Sequence, residues 1–548
     1  MTRLTAATAL GVIFSTTPLM AEVTPQSVWE EISNYYERMG LVVEGGEMVE
    51  AADALTVRDV VISMEAPDSE MDWNVGEVVL TANGDNTVTV DLPDQSAGTM
   101  TMIVPASPDY DALGEDDMPM PAEDIDTMTE EDTAAGDDAA SEDMAAPDTA
   151  EAAPETKTIT VNFSVKTPGE ELVISEEGEA TVFGYVMPEV SVTVDSIVDP
   201  DGRTIENPAS VTITDMRGSD RVETADMTRV AQTGSAAEMV VDINIDEEEG
   251  SAIGQFTMAG MEFTSETELP AGTTLGADFS EAMIAGLKLR GDSTIEKMDF
   301  ALDFSSTEPD GETQQGSAAA SSENLNAQFN MDAGNMGYGG TSGMITAELN
   351  IPDEMLAVGY SATSSEFDVM FPMAADPEPQ DFSFDFALDG LELSDEVWAM
   401  FDPQAALPRD AAALNIDLDG QMTVAINLMD NEAMMQAMEA PMSLNSLKIN
   451  NVDLSAVGVN LGLTGDIELP EGGPMPTPVG IISGRVEGLN ALLDTLVSAG
   501  MVPQDQMMGM RMMMAMFVKQ DPSDANVMTS EIEFRESGEI LANGQRVK

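Results

Sequence analysis

The chain has 548 residues, of which 102 are acidic and 20 basic, for a net charge of −82, and it contains neither cysteine nor histidine. These counts exclude disulfides, thiolate nucleophiles, Cys/His zinc sites, iron–sulfur clusters, c-type haem attachment, Ser-His-Asp triads and imidazole acid–base catalysis. They also argue against nucleic acid and anionic membrane surfaces as partners, because phosphate binding needs Lys or Arg.

No cofactor is implied, and any metal would have to be held by oxygen ligands or Met sulfur. A hydrophobic fraction of 43% permits a sizeable core. Such a charge keeps a protein soluble but strains its fold through self-repulsion, which salt relieves.

The first residues read as an export signal. Arg3 is a short basic region, Leu4 to Phe14 an apolar run, and Thr16 to Ala21 a cleavage region ending in a small residue. Cleavage is expected after Ala21, which places the mature chain in the periplasm. The apolar run is shorter than the ~20 residues a span needs, and no other segment is long and apolar enough to cross a bilayer as a helix.

The mature chain opens with a helix. Thr24 caps it, Pro25 fits its first turn, and Val28, Trp29, Ile32, Tyr35, Tyr36 and Met39 share one face before Gly40 ends it. The period then changes to two. Strands are expected from Leu55 and over Val78–Thr81, and Asn83 to Asn86 turns the chain into a partner at Thr87–Asp91. Residues 108–156 are acidic, rich in Ala, Pro and Thr, and without a basic residue; they cannot bury enough apolar surface to offset ordering entropy. They read as a disordered insertion between two strands, either a solvated tether or a weak cation-collecting segment.

Beyond it the alternation is clean. Ile159, Val161, Phe163 and Val165 face one way, as do Phe382, Phe384, Phe386 and Leu388, then Leu414, Ile416 and Leu418, then Met422, Val424, Ile426 and Leu428. Strict alternation means one dry and one wet face, hence antiparallel sheets with the acids on the wet side. Asp199-Pro200-Asp201-Gly202 marks a turn, and Asp417-Leu418-Asp419-Gly420 reads as another rather than as a calcium loop, since no closing Glu follows at EF-hand spacing. Gly334–Gly340 is not flanked by a strand entering a helix and is no phosphate cradle. No pair of carboxylates stands out as a glycosidase dyad.

Two helices are expected near the end. One carries the stripe Val486, Leu489, Leu492, Leu493, Leu496 and Val497 up to Gly500; the other starts at Pro503 and is rich in methionine. There Met507, Met510, Met513, Met514 and Phe517 fit a core stripe. Met508, Met512 and Met516 make a second stripe. Either the helix packs between two layers, or the second stripe lines an adaptable apolar groove for a lipid or an envelope protein partner; a Cu(I) site is a third reading.

The segment Ser394–Asp410 is the most distinctive. Ser394 caps a short helix that Asp402-Pro403 stops, and Arg409 stands alone among acids, which favours a bidentate structural ion pair over a clamp on a ligand carboxylate. Trp398-Ala399-Met400-Phe401-Asp402-Pro403 with Leu407-Pro408-Arg409-Asp410 resembles the signature of an exported bacterial family catalogued as domain of unknown function 2125. Gly488-Leu489-Asn490, Arg511, Glu531–Phe534, Asn543-Gly544-Gln545-Arg546 and the opening Val23–Trp29 are similar too. The resemblance, over nearly all of the mature chain except the acidic insertion, implies a Gram-negative periplasmic protein of unknown activity. A looser similarity, in strand repetition, is to AsmA-like envelope proteins, whose curled sheets present an apolar groove.

The expected architecture is mainly β: antiparallel, elongated or curled sheets with a short N-terminal helix and two C-terminal helices. Its parts are a signal peptide (1–21), an N-terminal helix and β module (22–107), the insertion (108–156), a central β region (157–390) and a C-terminal β region with two helices (391–548). The expected function is non-catalytic binding of a hydrophobic ligand or partner. A carboxylate-based hydrolase or an acidic surface for divalent cations is the alternative.

Overall fold

The structure is a computed structural model. It describes residues 23–548 apart from 39, 67–68, 106–155, 248–249, 274–278, 308–310, 312, 438–439, 471–476 and 525. The expected signal peptide lies outside the described residues, as does the expected insertion except for Thr156. The strands on either side of that insertion, Gln95–Pro105 and Thr156–Lys166, are antiparallel neighbours with Pro105 opposite Thr156.

The described residues form one 27-stranded antiparallel sheet and six α-helices: α1 (Pro25–Arg38), α2 (Phe279–Ala285), α3 (Asp395–Phe401), α4 (Asn431–Gln436), α5 (Leu489–Ser498) and α6 (Gln504–Phe517). The middle of the sheet is an up-and-down meander of six long strands, from Ala180–Val198 to Thr313–Met331. Strands of this length, at about 3.4 Å per residue, reach roughly 60–70 Å. The expected boundary at 390/391 falls inside the strand Asp376–Leu393.

The registers show why alternation matters. Leu55 stands opposite Leu80, Val192 opposite Val211, Phe256 opposite Phe300, Phe386 opposite Ile416, and Leu454 opposite Leu461. Apolar residues therefore meet apolar residues across these seams, on the dry face of the sheet. Five aromatic side chains on that face lie across a directly opposed glycine: Phe163 on Gly98, Tyr185 on Gly218, Phe263 on Gly234, Phe304 on Gly316 and Phe382 on Gly420. A Cβ at any of the five glycines would come closer than 3.0 Å to the opposed ring or, at Gly218, to its hydroxyl. Only glycine leaves room for the ring to lie flat on the backbone, and the ring in turn covers a strand position without a side chain.

Three expectations are corrected. Asp417-Leu418-Asp419-Gly420 is not a turn but the interior of the single strand Ala412–Val424. The acids point to the wet face, and Gly420 sits under Phe382. Ile426 and Leu428 lie beyond that strand. Val486, expected in the stripe of α5, belongs to the strand Val479–Glu487, opposite Leu461 and Met528. The helices α2 and α4 had no clear sequence signal. α2 brings Ala282 and Met283 against Leu269 and Leu287 in a small core of its own.

Burial is uneven. The main core gathers Val28 and Trp29 of α1 with Leu55, Val57, Leu80, Val88, Val90 and Ile174 of the strands beneath. Along the middle strands the dry face is half-buried, at Phe300, Leu302 and Phe304 for example. Of the C-terminal helices, α6 rests on α5 and on the strand Val527–Phe534.

The wet face carries the charge. Asp368, Asp385 and Asp417 stand in register on three successive strands. Like charges directly opposite each other are destabilising. Burial, then Asp417 and Asp368, push the Asp385 carboxyl above its ordinary value. A raised acid costs stability once ionised, so this row makes stability fall as pH rises from the ordinary carboxylate range through the raised value. Cations offset little of this, because pairs such as Arg58 with Glu47 (2.9 Å) lie on the surface. The melting temperature is therefore expected to rise from low salt to molar NaCl, as read by calorimetry at neutral pH. An unchanged value would mean that the acids are locally compensated.

Candidate functional site

The distinctive segment around Trp398 closes on itself. The Ser394 hydroxyl accepts a bond from the Val397 N–H at 3.4 Å and starts α3. At the other end the buried Asp402 carboxylate accepts the N–H groups of Ala406 (2.9 Å) and Leu407 (3.0 Å), while its own N–H returns to the Trp398 carbonyl (2.7 Å). Burial opposes ionisation of Asp402, but the two N–H groups and Arg409 outweigh it and hold the carboxyl below its ordinary value. Arg409 is not bidentate on a carboxylate. One nitrogen bonds Asp395 at 2.8 Å, another the Asp402 carbonyl at 3.4 Å, and the guanidinium lies 5.2 Å from the centre of the Trp398 ring. This combination of planar stacking and forked donation suits Arg and not Lys. Pro408 lies against Gly458, and Leu407 enters through its backbone. Pro403 and Asp410 are exposed. The Ser394 hydroxyl, the Asp402 carboxylate and the Arg409 guanidinium are all used within the segment.

The other family-like residues are also placed structurally. Asn543 and Gly544 both have positive φ (52° and 78°) and form the two-residue hairpin turn that brings Gln545 opposite Ala542. That is the geometry for which Asn-Gly is suited. The Asn543 amide also donates to the Phe517 carbonyl at 2.7 Å, pinning the end of α6. Arg511 of α6 pairs with Asp494 of α5. Asn490 is half-buried in the first turn of α5.

The methionine helix differs from both main expectations. Met507 is buried and Met514 half-buried, but Met510, Met513 and Phe517 are exposed, as are Met508, Met512 and Met516 at 65%, 71% and 54%. α6 touches neighbours on one side only, so its second stripe lines neither a core nor an enclosed groove. A helix apolar all round carries no periodicity that selects the packed face. Met512→Asp is accordingly expected to fold with a stability within about 0.5 kcal/mol of the parent chain, as measured by urea titration.

A partly open apolar pocket lies at the other end of the chain. α1 starts where the Thr24 hydroxyl accepts the Ser27 N–H (3.1 Å), and the Val23 N–H bonds Asn86 of the hairpin turn (3.2 Å). So anchored, α1 lies across the dry face, and a cavity of about 570 Å³ remains between them. Trp29, Ile32, Tyr35 and Tyr36 form its helical wall. Ile62, Trp73, Leu172, Phe183 and Met187 are among the strand residues opposite. Asp220 is the one charged residue in the lining.

Asp220 stands opposite Gln232, which stands opposite Ser265, so a short polar row crosses the dry face. Ser265 donates to the Gln232 carbonyl oxygen (2.8 Å), the Gln232 amide to the Tyr35 hydroxyl (3.3 Å), and Tyr35 to Asp220 Oδ2 (3.3 Å). Burial pushes the Asp220 carboxyl up, against the pull of Gln232 and Tyr35. Burial, followed by the charge of Asp220, raises Tyr35, Tyr36 and Tyr185. Among the described residues no three carboxylates gather in a metal-holding arrangement.

Residues 297–541 match the model of a family described as "Uncharacterized protein conserved in bacteria (DUF2125)". The match takes in Trp398 to Asp410, Asn490 and Arg511. It leaves outside Val23–Trp29, the cavity, and Asn543-Gly544-Gln545 just past its end. No curated protein and no solved structure matches the chain.

Proposed function

We propose that this chain is a non-catalytic, exported binding protein that holds a hydrophobic ligand of lipid type between α1 and the sheet. The observation that carries this reading is the cavity wall. A volume of about 570 Å³ suits a small-molecule site, and such sites are mostly apolar with few, placed polar groups. Here the wall is aromatic and aliphatic, with a single carboxylate. A hydrolase of the two-carboxylate kind would need a second acid beside Asp220, and the lining supplies none. The basic and apolar pattern of residues 1–21 supports a periplasmic location. The family segment 297–541 serves as scaffold in this reading: its motif residues satisfy one another and tie helices to the sheet.

Native mass spectrometry of protein purified from a bacterial envelope tests the proposal. The expected result is an adduct of lipid mass that organic extraction removes and that reappears on incubation with envelope lipid. A chain that carries only its own mass before and after such incubation would refute it.

A further inference from the structure

Asp220 Oδ1 is buried and has no hydrogen-bond partner among the described residues. Unpaired buried polar atoms are rare, and an unpaired carboxylate oxygen in apolar surroundings is costly. The Tyr35 hydroxyl donates to Oδ2 and one N–H of the Gln232 amide to Tyr35, and in this arrangement no donor of the described residues reaches Oδ1. Tyr36 and Tyr185 complete the aromatic surroundings, and no Lys or Arg lines the cavity. The polar end of the space therefore presents an acceptor that asks for a proton donor and offers nothing to neutralise an anion.

We infer that the cavity selects an amphipathic ligand whose polar end donates hydrogen bonds and carries no negative charge, an amine or an alcohol on an apolar body, with Asp220 Oδ1 as its acceptor. The inference rests on the reading of this cavity as the ligand site. It excludes fatty acids and phosphate-headed lipids with the phosphate at Asp220, because an anion there would face a like charge in a low-dielectric setting without a counter-ion. The selectivity would be invisible in the composition, since it depends on one acid among 102.

The test compares dodecylamine, dodecanol and dodecanoate, below their micelle-forming concentrations and at physiological salt, by isothermal titration calorimetry. The full chain is used as parent, Asp220→Asn and Asp220→Leu. Asp220→Asn keeps the size and an acceptor for Tyr35, and thermal melts report whether each variant folds. The parent is expected to bind the amine and the alcohol at least about tenfold tighter than dodecanoate, the worth of one charge-assisted hydrogen bond. Asp220→Leu should shrink that advantage by about tenfold or more, and Asp220→Asn should weaken the amine more than the alcohol. The general attraction of an acidic protein for a cation survives both substitutions, so it cannot imitate this loss. Dodecanoate binding as tightly as the others, or an advantage unchanged in Asp220→Leu, would overturn the inference and leave the cavity a ligand site. Failure of all three chains to bind would instead remove the underlying reading.

Discussion

Replacing Trp29 with alanine is expected to free α1 from the sheet and to abolish binding in the cavity. Trp29 is buried in the main core, and its ring also lies over the loop at Gly45, where an added Cβ would come within 3.1 Å of it. It is thus the contact through which the helix reaches both the strand face and the loop before the first full-length strand. Removing a buried Trp costs about 3–5 kcal/mol through lost transfer energy and the space left behind. A helix of 14 residues has little stability of its own, so its ordering depends on this contact. Hydrogen exchange over Val23–Tyr36 should accelerate to nearly unprotected rates, while the strands Thr204–Thr224 and Met227–Glu247 keep their protection. Retained slow exchange in α1 would show that the helix is held by something other than the Trp29 packing.

Replacing Asp402 with alanine should act in the turn after α3, away from α1. Its carboxylate satisfies two N–H groups in the turn that follows α3, and Arg409 reaches back to its carbonyl. Alanine leaves both N–H groups without an acceptor, and the turn that places Arg409 over Trp398 loses its anchor. The melting temperature is expected to fall by about 2–5 °C, with loss of exchange protection confined to residues 395–410. Because the folded carboxyl sits below its ordinary value, the stabilisation is full above that ordinary value and fades as pH falls through the lowered one. The difference between parent and variant should therefore be constant near neutral pH and narrow in acid. A gap that widens on acidification would mean the acid is not held ionised by these partners.

Much of this fold is legible in the amino-acid order. The capped start of α1 at Thr24-Pro25, the Asn83–Asn86 turn and the alternation around Phe384 each follow from local rules, because one face of each element is wet and the other dry. The Asp402 and Asn543 motifs could be recognised as distinctive, but not resolved. Their chemistry is a set of backbone bonds that no side-chain spacing announces. The cavity was not legible at all, for a definite reason. In the strand Thr204–Thr224 the inward positions run through Val211 and Ile213, and then change parity near Asp215, whose φ is +49°. Without that irregularity Asp220 counts as one more acid on the wet face; with it, Asp220 points into the dry one. The methionine helix misled in the opposite direction, since apolarity on all sides says nothing about which side finds a neighbour.

The central claim, that an apolar molecule enters the space between α1 and the sheet, has a direct optical test. The chain has three tryptophans: Trp29 and Trp73 line the cavity, and Trp398 is buried in the distant motif. A brominated long-chain alcohol quenches a tryptophan it touches. In a Trp398→Phe background, titration should quench the remaining emission saturably and at one molecule per chain. In a variant carrying Trp29→Phe and Trp73→Phe, the emission of Trp398 should stay unchanged over the same range. Quenching of Trp398 alone, or of none of the three, would contradict the account.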